Sequence, residues 1–595
     1  MKIEDTKTFF NKNDPWILSF EVEKDSDGRL LTILSGNENV LTFEKDGCFL
    51  SAKINTLWQA ETERFGKDPH FDFLLTSPVF GKNIKICWLG FSFRLYVDGV
   101  LADEDWPLGY PVEGIWKICT SESIKNIDFS YRSDEYIKED EKLKKSFQGF
   151  CVPGHNTGAG DCMPFDHENV YRLYFLLDRR SHGSKKGLGA HQWAQVSSKD
   201  LINWTLHPLA LGITDQNEGS ICTGSLIKKD DKIYAFYSVR MSDGSKARLS
   251  FAVSDDGVSF TKSEKYFSLE YPYEPVSARD PKVFLGADGL YHMLVTTSLV
   301  TKEKYNGCLA HLTSSALTEW TQLDPFLIPG YDGQPECSDY FEWNGRYYLV
   351  FSITGSAHYR MSEHPFGPWI CPINDAFDSL QIHVPKTARF KNRYISAGFL
   401  PGHKAEYPIN IPYAGNIIMH ELIQRPDGTL GVKMPEEVLP AYSLVFEKQK
   451  ISLDAFDTRK IFDLPLQKTG IRLKALLMPE KSMVKTGISV FKGKYEYRIE
   501  FDFSAKTAKF TRSYMLMLYG TGRDMLTNVS FDKETGIDLV IKDDMIDFVT
   551  DDGRSMTLSM DHSDDENVKL SFYALNGKAE YRDIKLYASD ENNEE

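Results

Sequence analysis

The middle of the chain repeats a short segment in which apolar and polar residues alternate and tyrosine and phenylalanine are frequent. Alternation with a period of two is typical of β-strands that bury one face. The segments recur at intervals of about 50 to 60 residues. They are Val170–Phe175, Lys232–Tyr237, Gly289–Leu294, Arg346–Phe351 and Arg393–Ala397.

A second strand pattern and an aromatic residue follow each of the first four segments. These stretches run from Ala194 to Trp204, Ala252 to Phe260, His311 to Trp320 and Tyr359 to Trp369. Small sheets repeated at this period cannot bury their faces alone, so the pattern predicts a five-bladed β-propeller between about residues 150 and 425. A β-sandwich would show shorter, less regular strand spacing, and a helical solenoid would show a period of 3.6.

The two flanks of this region show strand patterns without the repeat. Before residue 140, Phe93–Val97 leads into an Asp98-Gly99 turn and a further strand, which is the signal of a hairpin. After residue 430, alternation returns, for example in Tyr495–Phe503. We therefore predict an all-β chain with three domains: a lectin- or laminin-G-like β-sandwich over 1–140, the propeller as catalytic domain over 150–428, and a C-terminal β-sandwich over 429–590.

Length and composition narrow the possible functions. A chain of 595 residues is long enough for two to four domains, and 13% aromatic residues favour sheet packing or sugar binding. A net charge of −16 disfavours nucleic acid and anionic membrane surfaces as partners. The sequence contains no run of about 18 apolar residues, so we predict no membrane span.

The cysteines and the N-terminus favour a cytoplasmic protein. Nine cysteines form no CxxC pair, so neither a disulfide framework nor a zinc site is indicated. The histidines form no HExxH motif, and we expect no metal and no cofactor. Met1–Asp5 is not followed by the apolar run of a secretory signal, which favours the cytoplasm.

Three acidic residues stand near the beginnings of strands in separate repeats: Asp161, Asp280 and Glu336. In a propeller, equivalent positions would direct them into one central funnel. Crowded carboxylates shift each other's pKa values, so that one can stay ionised while another holds a proton. Glycoside hydrolysis requires such a pair. Taken alone, each residue has a structural alternative; Asp280 before Pro281, for example, is a common way to begin a turn.

The segments around these acids resemble glycoside hydrolase family 32, the invertase, inulinase and levanase group. Arg279-Asp280-Pro281 and Glu336-Cys337 are similar to the two later motifs of that family, and Asp161 stands where its nucleophile does. The separations of 119 and 56 residues between the acids are also similar. Gly219–Ser225 and the stretch from Trp193 to Trp204 resemble two further family segments.

The resemblance implies a retaining hydrolase that releases terminal β-fructofuranosyl units from fructosides. Asp161 would be the nucleophile, Glu336 the general acid/base and Asp280 the transition-state stabiliser. No cofactor would be required. The residues expected to bind the carbohydrate substrate are Arg279, Trp193, His191, Thr223, Ser225 and Cys337.

The sequence departs from the family around the nucleophile. The family has Asn-Asp-Pro-Asn-Gly, whereas this chain has Gly160-Asp161-Cys162-Met163-Pro164, which puts ordinary sucrose or inulin specificity in question. The basic stretch Asp178–Gly187 could face a phosphorylated sugar or form a solvated loop. Alternatives are an arabinofuranosidase-like hydrolase, a fructosyltransferase and a noncatalytic carbohydrate-binding protein, and a homo-oligomer is possible.

Overall fold

A computed structural model gives the fold of the chain. It describes residues 2–10, 15–24, 27–47, 49–54, 70–74, 79–88, 93–105, 114–131, 149–150, 157–179, 191–215, 217–401, 413–437, 442–456, 459–468, 470–482, 484–512, 525–542, 544–560 and 567–589. These residues form β-strands without an α-helix, and the strands pair antiparallel throughout, which confirms the predicted all-β class. Within the described ranges, no helix is long and apolar enough to cross a membrane.

The N-terminal region consists of two sheets. Its strands are β1 Lys2–Phe10, β2 Trp16–Val22, β3 Gly28–Ser35, β4 Glu38–Asp46, β5 Phe49–Ile54, β6 His70–Leu74, β7 Asn83–Trp88, β8 Phe93–Val97, β9 Val100–Asp105, β10 Gly114–Thr120 and β11 Ile124–Tyr131. The strand orders are β1-β10-β3-β4-β5-β6 and β11-β2-β7-β8-β9.

The two N-terminal sheets share one apolar core. Trp16 and Trp88 from one sheet and Trp116 from the other are at most 1% exposed. The rings of Trp16 and Trp116 meet edge to face with centroids 5.7 Å apart, a favourable geometry for aromatic pairs. The predicted hairpin is confirmed, because Asp98 and Gly99 adopt positive φ angles of 51° and 83° between β8 and β9.

The central region contains five successive antiparallel units, which we number one to five. After β12 Gly149–Phe150, unit one has β13 Thr157–His167, β14 Val170–Arg179, β15 Gln192–Ser198 and β16 Trp204–Leu211; unit two has β17 Glu218–Lys229, β18 Lys232–Met241, β19 Arg248–Ser254 and β20 Thr261–Phe267; unit three has β21 Arg279–Leu285, β22 Tyr291–Ser298, β23 Gly307–Ser314 and β24 Thr321–Gln322; unit four has β25 Glu336–Trp343, β26 Arg346–Ile353 and β27 Ser356–Ser362; unit five has β28 His383–Phe390, β29 Arg393–Pro401, β30 Gly415–Gln424 and β31 Leu430–Lys433.

The first strands of the five units follow one another in a cycle. Each of β13, β17, β21 and β25 contacts the first strand of the next unit, and β28 of unit five contacts β13 of unit one. β13 also pairs with β30 at Ala159 and Gly415. The repeated aromatic segments of the sequence are the second strands β14, β18, β22, β26 and β29. The first strands therefore lie innermost, and the side chains at their beginnings can meet.

The C-terminal region again consists of two sheets, with orders β32-β43-β34-β39-β40-β41 and β33-β42-β35-β36-β37-β38. The strands are β32 Tyr442–Asp454, β33 Lys460–Lys468, β34 Ile471–Leu477, β35 Lys485–Lys492, β36 Tyr495–Asp502, β37 Thr507–Arg512, β38 Met525–Leu526, β39 Thr535–Lys542, β40 Met545–Thr550, β41 Ser555–Ser559, β42 Val568–Leu575 and β43 Lys578–Ser589. One apolar core lies between them. This region contacts the central one through buried polar pairs, including His420 with Asp547 and Asp378 with Ser555.

Candidate active site

A β-bulge interrupts the beginning of every first strand in the five units. The pairing register shifts between Ala159 and Cys162 in unit one, and at equivalent places in the others: Ile221/Gly224, Arg279/Lys282, Glu336/Asp339 and His383/Lys386. A bulge places an extra residue in one strand and redirects its side chain. Five equivalent bulges around a cycle therefore turn Asp161, Thr223, Asp280 and Cys337 towards one another.

Hydrogen-bond donors from three other parts of the chain surround the carboxylate of Asp161. The hydroxyl of Thr223 donates to Oδ2 at 2.5 Å, and the hydroxyl of Tyr413 donates to Oδ1 at 2.9 Å. The thiol of Cys337 lies 3.3 Å from Oδ2. Both oxygens are thus held, and the side chain has a fixed orientation.

Asp280 lies beside Asp161 but is more deeply buried, with 2% of its surface exposed. Its Oδ2 accepts the backbone N–H of Cys337 at 3.0 Å, and the thiol of the same residue lies 3.6 Å away. Asp280 and Cys337 have φ angles of 56° and 51°, in the left-handed region that ordinary residues seldom occupy. Such conformations persist where the surroundings impose them, and they are concentrated at functional sites.

Arg279 links the second and third carboxylates. Its Nη2 donates to Oε1 of Glu336 at 2.9 Å, and its Nε lies 3.7 Å from Oδ2 of Asp280. The side chain of Glu336 is 32% exposed, whereas that of Asp280 is 3% exposed. Glu336 is therefore the more accessible of the two acids, and Asp280 forms the floor beneath it.

The pKa values of the two acids are shifted in the same direction. Burial raises the pKa of Asp280, and Arg279 opposes this effect. Burial also raises the pKa of Glu336, and the negative charges of Asp280 and Asp161 raise it further, while Arg279 lowers it. A carboxyl group with a raised pKa that remains accessible is suited to donate a proton.

Asp161, Asp280 and Cys337 are also a group that could hold a metal ion, since one ligand atom of each lies within 4.8 Å of the others. Burial raises the pKa of the Cys337 thiol well above its ordinary value, and the two aspartates add to the shift. Metals bind the thiolate, so a thiol held in its protonated form is a poor ligand. With the thiol protonated, the group offers two carboxylates and a poor third ligand.

Three of the predicted substrate-binding residues make hydrogen bonds to groups other than the three acids. Trp193 is fully buried and donates its indole N–H to the carbonyl of Cys222 at 2.9 Å. The hydroxyl of Ser225 donates to the carbonyl of Pro281 at 2.8 Å and accepts the N–H of Val283 at 2.9 Å. His191 is 9% exposed, and its Nε2 lies 3.1 Å from Oδ2 of Asp178.

The other predicted residues meet at the site itself: Asp161, Asp280, Glu336, Arg279, Thr223 and Cys337. The predicted basic stretch Asp178–Gly187 lies outside the described residues from position 180 onwards, so its role as a sugar contact stays a prediction.

Sequence reasoning did not find three further residues at or beside the site. Tyr413, two residues before β30 of unit five, contacts Asp161 from more than 250 positions away in the chain. Gln334 accepts Arg279 Nη1 at 2.5 Å, and its amide nitrogen donates to the hydroxyls of Ser277 and Ser298. Lys386 is buried and donates to the carbonyl of Gly224 at 2.7 Å. The Gln334-Pro335-Glu336 sequence was visible, but only the fold shows where the glutamine points.

Comparison with known proteins gives a family for the central region. Residues 163–382 match the sequence model described as the Glycosyl hydrolases family 32 N-terminal domain. The chain is 34% identical over 179 residues to the sucrose-6-phosphate hydrolase of Bacillus subtilis strain 168, covering 28% of this chain and 36% of that protein. It is 32% identical over 106 residues to an invertase of Debaryomyces hansenii, covering 16% of this chain and 19% of that protein. The chain thus spans about a third or less of the length of these curated relatives.

Solved structures share the fold over a larger part of the chain. Fructan 1-exohydrolase IIa of Cichorium intybus superposes with a TM-score of 0.57 at 14% identity, covering 74% of this chain and 98% of that one. Exo-inulinase of Aspergillus awamori gives a TM-score of 0.59 at 15% identity, covering 76% and 99%. Asp280 and Glu336 lie within the matched segment, and Asp161 lies two residues before it. The match over residues 163–382 and the curated relatives therefore make glycoside hydrolase family 32 the family that the central region resembles.

Proposed function

We propose that the chain is a retaining glycoside hydrolase that releases terminal β-fructofuranosyl units from fructosides. We also propose that the five central units form a five-bladed β-propeller between two β-sandwiches, with domain limits near 1–140, 150–428 and 429–590. The cyclic contacts of the first strands support the propeller. The sucrose-6-phosphate hydrolases and the invertase among the relatives support the substrate class.

One observation carries the proposal: three carboxylates from three separate units are connected through a common set of contacts. Cys337 touches both aspartates, and Arg279 contacts both Asp280 and Glu336. Burying like charges together costs free energy and shifts their pKa values. General acid catalysis next to an ionised nucleophile requires carboxyl groups with such shifted pKa values.

In the first step, Asp161 attacks the anomeric carbon and the bond from that carbon to the leaving oxygen breaks. The carboxyl proton of Glu336 passes to the leaving oxygen, so the aglycone departs as a neutral alcohol. A covalent fructosyl ester of Asp161 remains. Asp280, beside Arg279, would accept hydrogen bonds from the sugar hydroxyls as positive charge develops on the ring.

In the second step, the carboxylate of Glu336 takes a proton from water, and the resulting hydroxide attacks the same carbon. The ester bond to Asp161 breaks, which releases fructose and restores both side chains. The two displacements retain the configuration at the anomeric carbon. Arg279 lies against Glu336 in both steps and would stabilise its anionic form between them.

The test combines a substrate screen with variants at both acids. Purified protein is incubated with sucrose, sucrose 6-phosphate, fructo-oligosaccharides, inulin, levan and pentofuranosides, and released sugar is measured. On the substrate found, Asp161→Asn and Glu336→Gln are each expected to lower kcat by about a thousandfold or more. Asp255→Asn and Glu319→Gln, matched changes at exposed positions of units two and three, are expected to leave it unchanged.

The same substrate separates the proposal from its alternatives. Proton NMR of the first-formed product should show the retained β-anomer; an inverted product would instead indicate an arabinofuranosidase-like mechanism. Transfer products at high substrate concentration would indicate a transferase. Full activity in both acid variants would contradict the assignment, and sugar binding in calorimetry without turnover would favour a noncatalytic binding protein.

The cellular setting is part of the proposal. Seven cysteines among the described residues are free, which agrees with a reducing compartment and supports a cytoplasmic enzyme. The carbohydrate substrate is the proposed partner.

A further inference from the structure

Tyr413 reaches the candidate nucleophile from a distant part of the chain. It stands two residues before β30, and β30 pairs with β13 at Ala159 and Gly415. This pairing brings the tyrosine beside the bulge that carries Asp161. The phenol oxygen lies 2.9 Å from Oδ1 of Asp161, while Thr223 occupies Oδ2.

Gly160 leaves the space that the tyrosine fills. A Cβ atom built on Gly160 would lie 2.6 Å from Oη of Tyr413, 2.9 Å from Cζ and 3.0 Å from Cε1. Real Cβ atoms do not approach other atoms so closely, so any side chain at position 160 would displace the ring. The resembling family has asparagine directly before the nucleophile, whereas this chain has glycine.

The ring of Tyr413 is held on two sides. It packs edge to face on Phe399, with centroids 5.3 Å apart, and lies 5.3 Å from the ring of His191. Burial raises the pKa of Tyr413 well above its ordinary value, and the charge of Asp161 adds to this effect. The phenol therefore keeps its proton at neutral pH and acts as a donor to the carboxylate.

We propose that Tyr413, admitted by Gly160, is the positioning residue for Asp161, and that the two residues form a matched pair specific to the Gly-Asp sequence of this chain. This inference rests on the proposed function, because it assigns Asp161 as nucleophile. The hydroxyl fixes the rotation of the carboxylate about its Cβ–Cγ bond through Oδ1.

The first experiment removes only the hydroxyl. Tyr413→Phe is expected to lower kcat roughly 10- to 100-fold, the range for a hydrogen bond to a charged group, with little change in KM. A purely structural role would change KM as well as kcat, so a loss confined to kcat is the readout that identifies a positioning role.

A matched control is Tyr348→Phe. Tyr348 is fully buried, and its hydroxyl donates to the carbonyl of Gly428 at 2.7 Å on a different part of the central region. This variant should leave kcat at its wild-type value. A similar fall of kcat in both variants would assign the effect to general loosening and would overturn the inference.

The second experiment tests the pairing with Gly160. Gly160→Ala alone should displace the ring and lower kcat to a similar extent as Tyr413→Ala. In the Tyr413→Ala background the clash is absent, so adding Gly160→Ala should cost little more. Strong non-additivity of this kind indicates direct contact, and additive losses would overturn the pairing.

The inference and the proposed function fail differently. If the wild type is active and Tyr413→Phe retains its kcat, the inference is wrong while the function stands. If the wild type hydrolyses no furanoside, the function is wrong, and crystal structures of the wild type and Gly160→Ala decide the inference. A wild-type tyrosine hydrogen-bonded to Asp161 and displaced in the variant supports it; a wild-type tyrosine turned away from Asp161 overturns it.

Discussion

Arg279 and Glu336 show how single neighbours determine the protonation of a residue at this site. Burial favours the neutral form of Glu336, and the aspartates 161 and 280 act in the same direction. Arg279, at 2.9 Å, is the group that opposes them. Whether Glu336 holds a proton therefore depends on the opposing effects of two neighbouring aspartates and one arginine.

Removing the cation should alter this balance in a measurable direction. In Arg279→Met, burial and the two aspartates act unopposed, so the pKa of Glu336 rises further and the acid keeps its proton to higher pH. The alkaline limb of kcat/KM is expected to move upward by about 1 pH unit or more, in addition to a fall in kcat. The measurement is the pH profile on the substrate identified by the screen.

Two variants control for other consequences of this change. Arg279→Lys keeps a positive charge and should return the alkaline limb part of the way. Arg248→Met, which removes a guanidinium from the ring of Tyr266 in unit two, should leave the limb in place. An alkaline limb that stays fixed or moves to lower pH in Arg279→Met would contradict the assigned role of Glu336.

The bulged first strand is the element that builds the site. A bulge leaves backbone groups without partners in the ladder, and buried groups of this kind are costly. Side chains of neighbouring strands satisfy them here: Ser225 of unit two bonds both Pro281 O and Val283 N of unit three, and Thr296 Oγ1 donates to Pro335 O at 2.7 Å. Unit two thus supports the bulge of unit three, and unit three binds the residue that precedes the bulge of unit four.

Ser225→Ala tests this support at the level of the strand. The change leaves two buried backbone groups unpaired, so it should reduce the free energy of unfolding by about 1–3 kcal/mol. It should also lower kcat, because Asp280 lies in the loosened bulge. Ser250→Ala removes a hydroxyl that donates to Lys265 O on the outer strands of unit two, and it should change neither quantity appreciably.

Urea unfolding followed by circular dichroism and steady-state kinetics on the same preparations provide the two readouts. If Ser225→Ala were as stable and as active as the Ser250 variant, the bulge of unit three would not depend on its neighbour.

The second strands and hairpin turns could be predicted from the sequence because their signals are local. Alternation in Arg346–Phe351 and the Asp98-Gly99 pair depend on residues that are adjacent in the chain. The bulges could not be predicted, since aspartate and cysteine, the residues at positions 280 and 337, are not residue types that require a positive φ. Tyr413 could not be assigned to the site either, because its partner depends on the closure of unit five against unit one.

At the scale of the whole molecule, a buried ionic triad joins the central region to the C-terminal sheets. His420 of unit five is fully buried; its Nδ1 lies 2.9 Å from Asp378 Oδ1, and its Nε2 lies 3.0 Å from Asp547 Oδ2. Burial lowers the pKa of His420, but the two carboxylates outweigh it and hold the value well above the ordinary range. The imidazolium therefore compensates two buried carboxyl groups, one from each region.

Removing the His420 cation alone should destabilise the protein more than removing the cation together with one of its two carboxylates. His420→Gln leaves two buried carboxylates without compensation and is expected to cost about 3–5 kcal/mol of unfolding free energy, measured by urea denaturation with circular dichroism. Adding Asp547→Asn removes one of these charges, so the double variant should be more stable than His420→Gln alone. Since a mere cavity or a lost packing contact would make the double variant less stable, the sign of this second change decides whether charge compensation holds the two regions together.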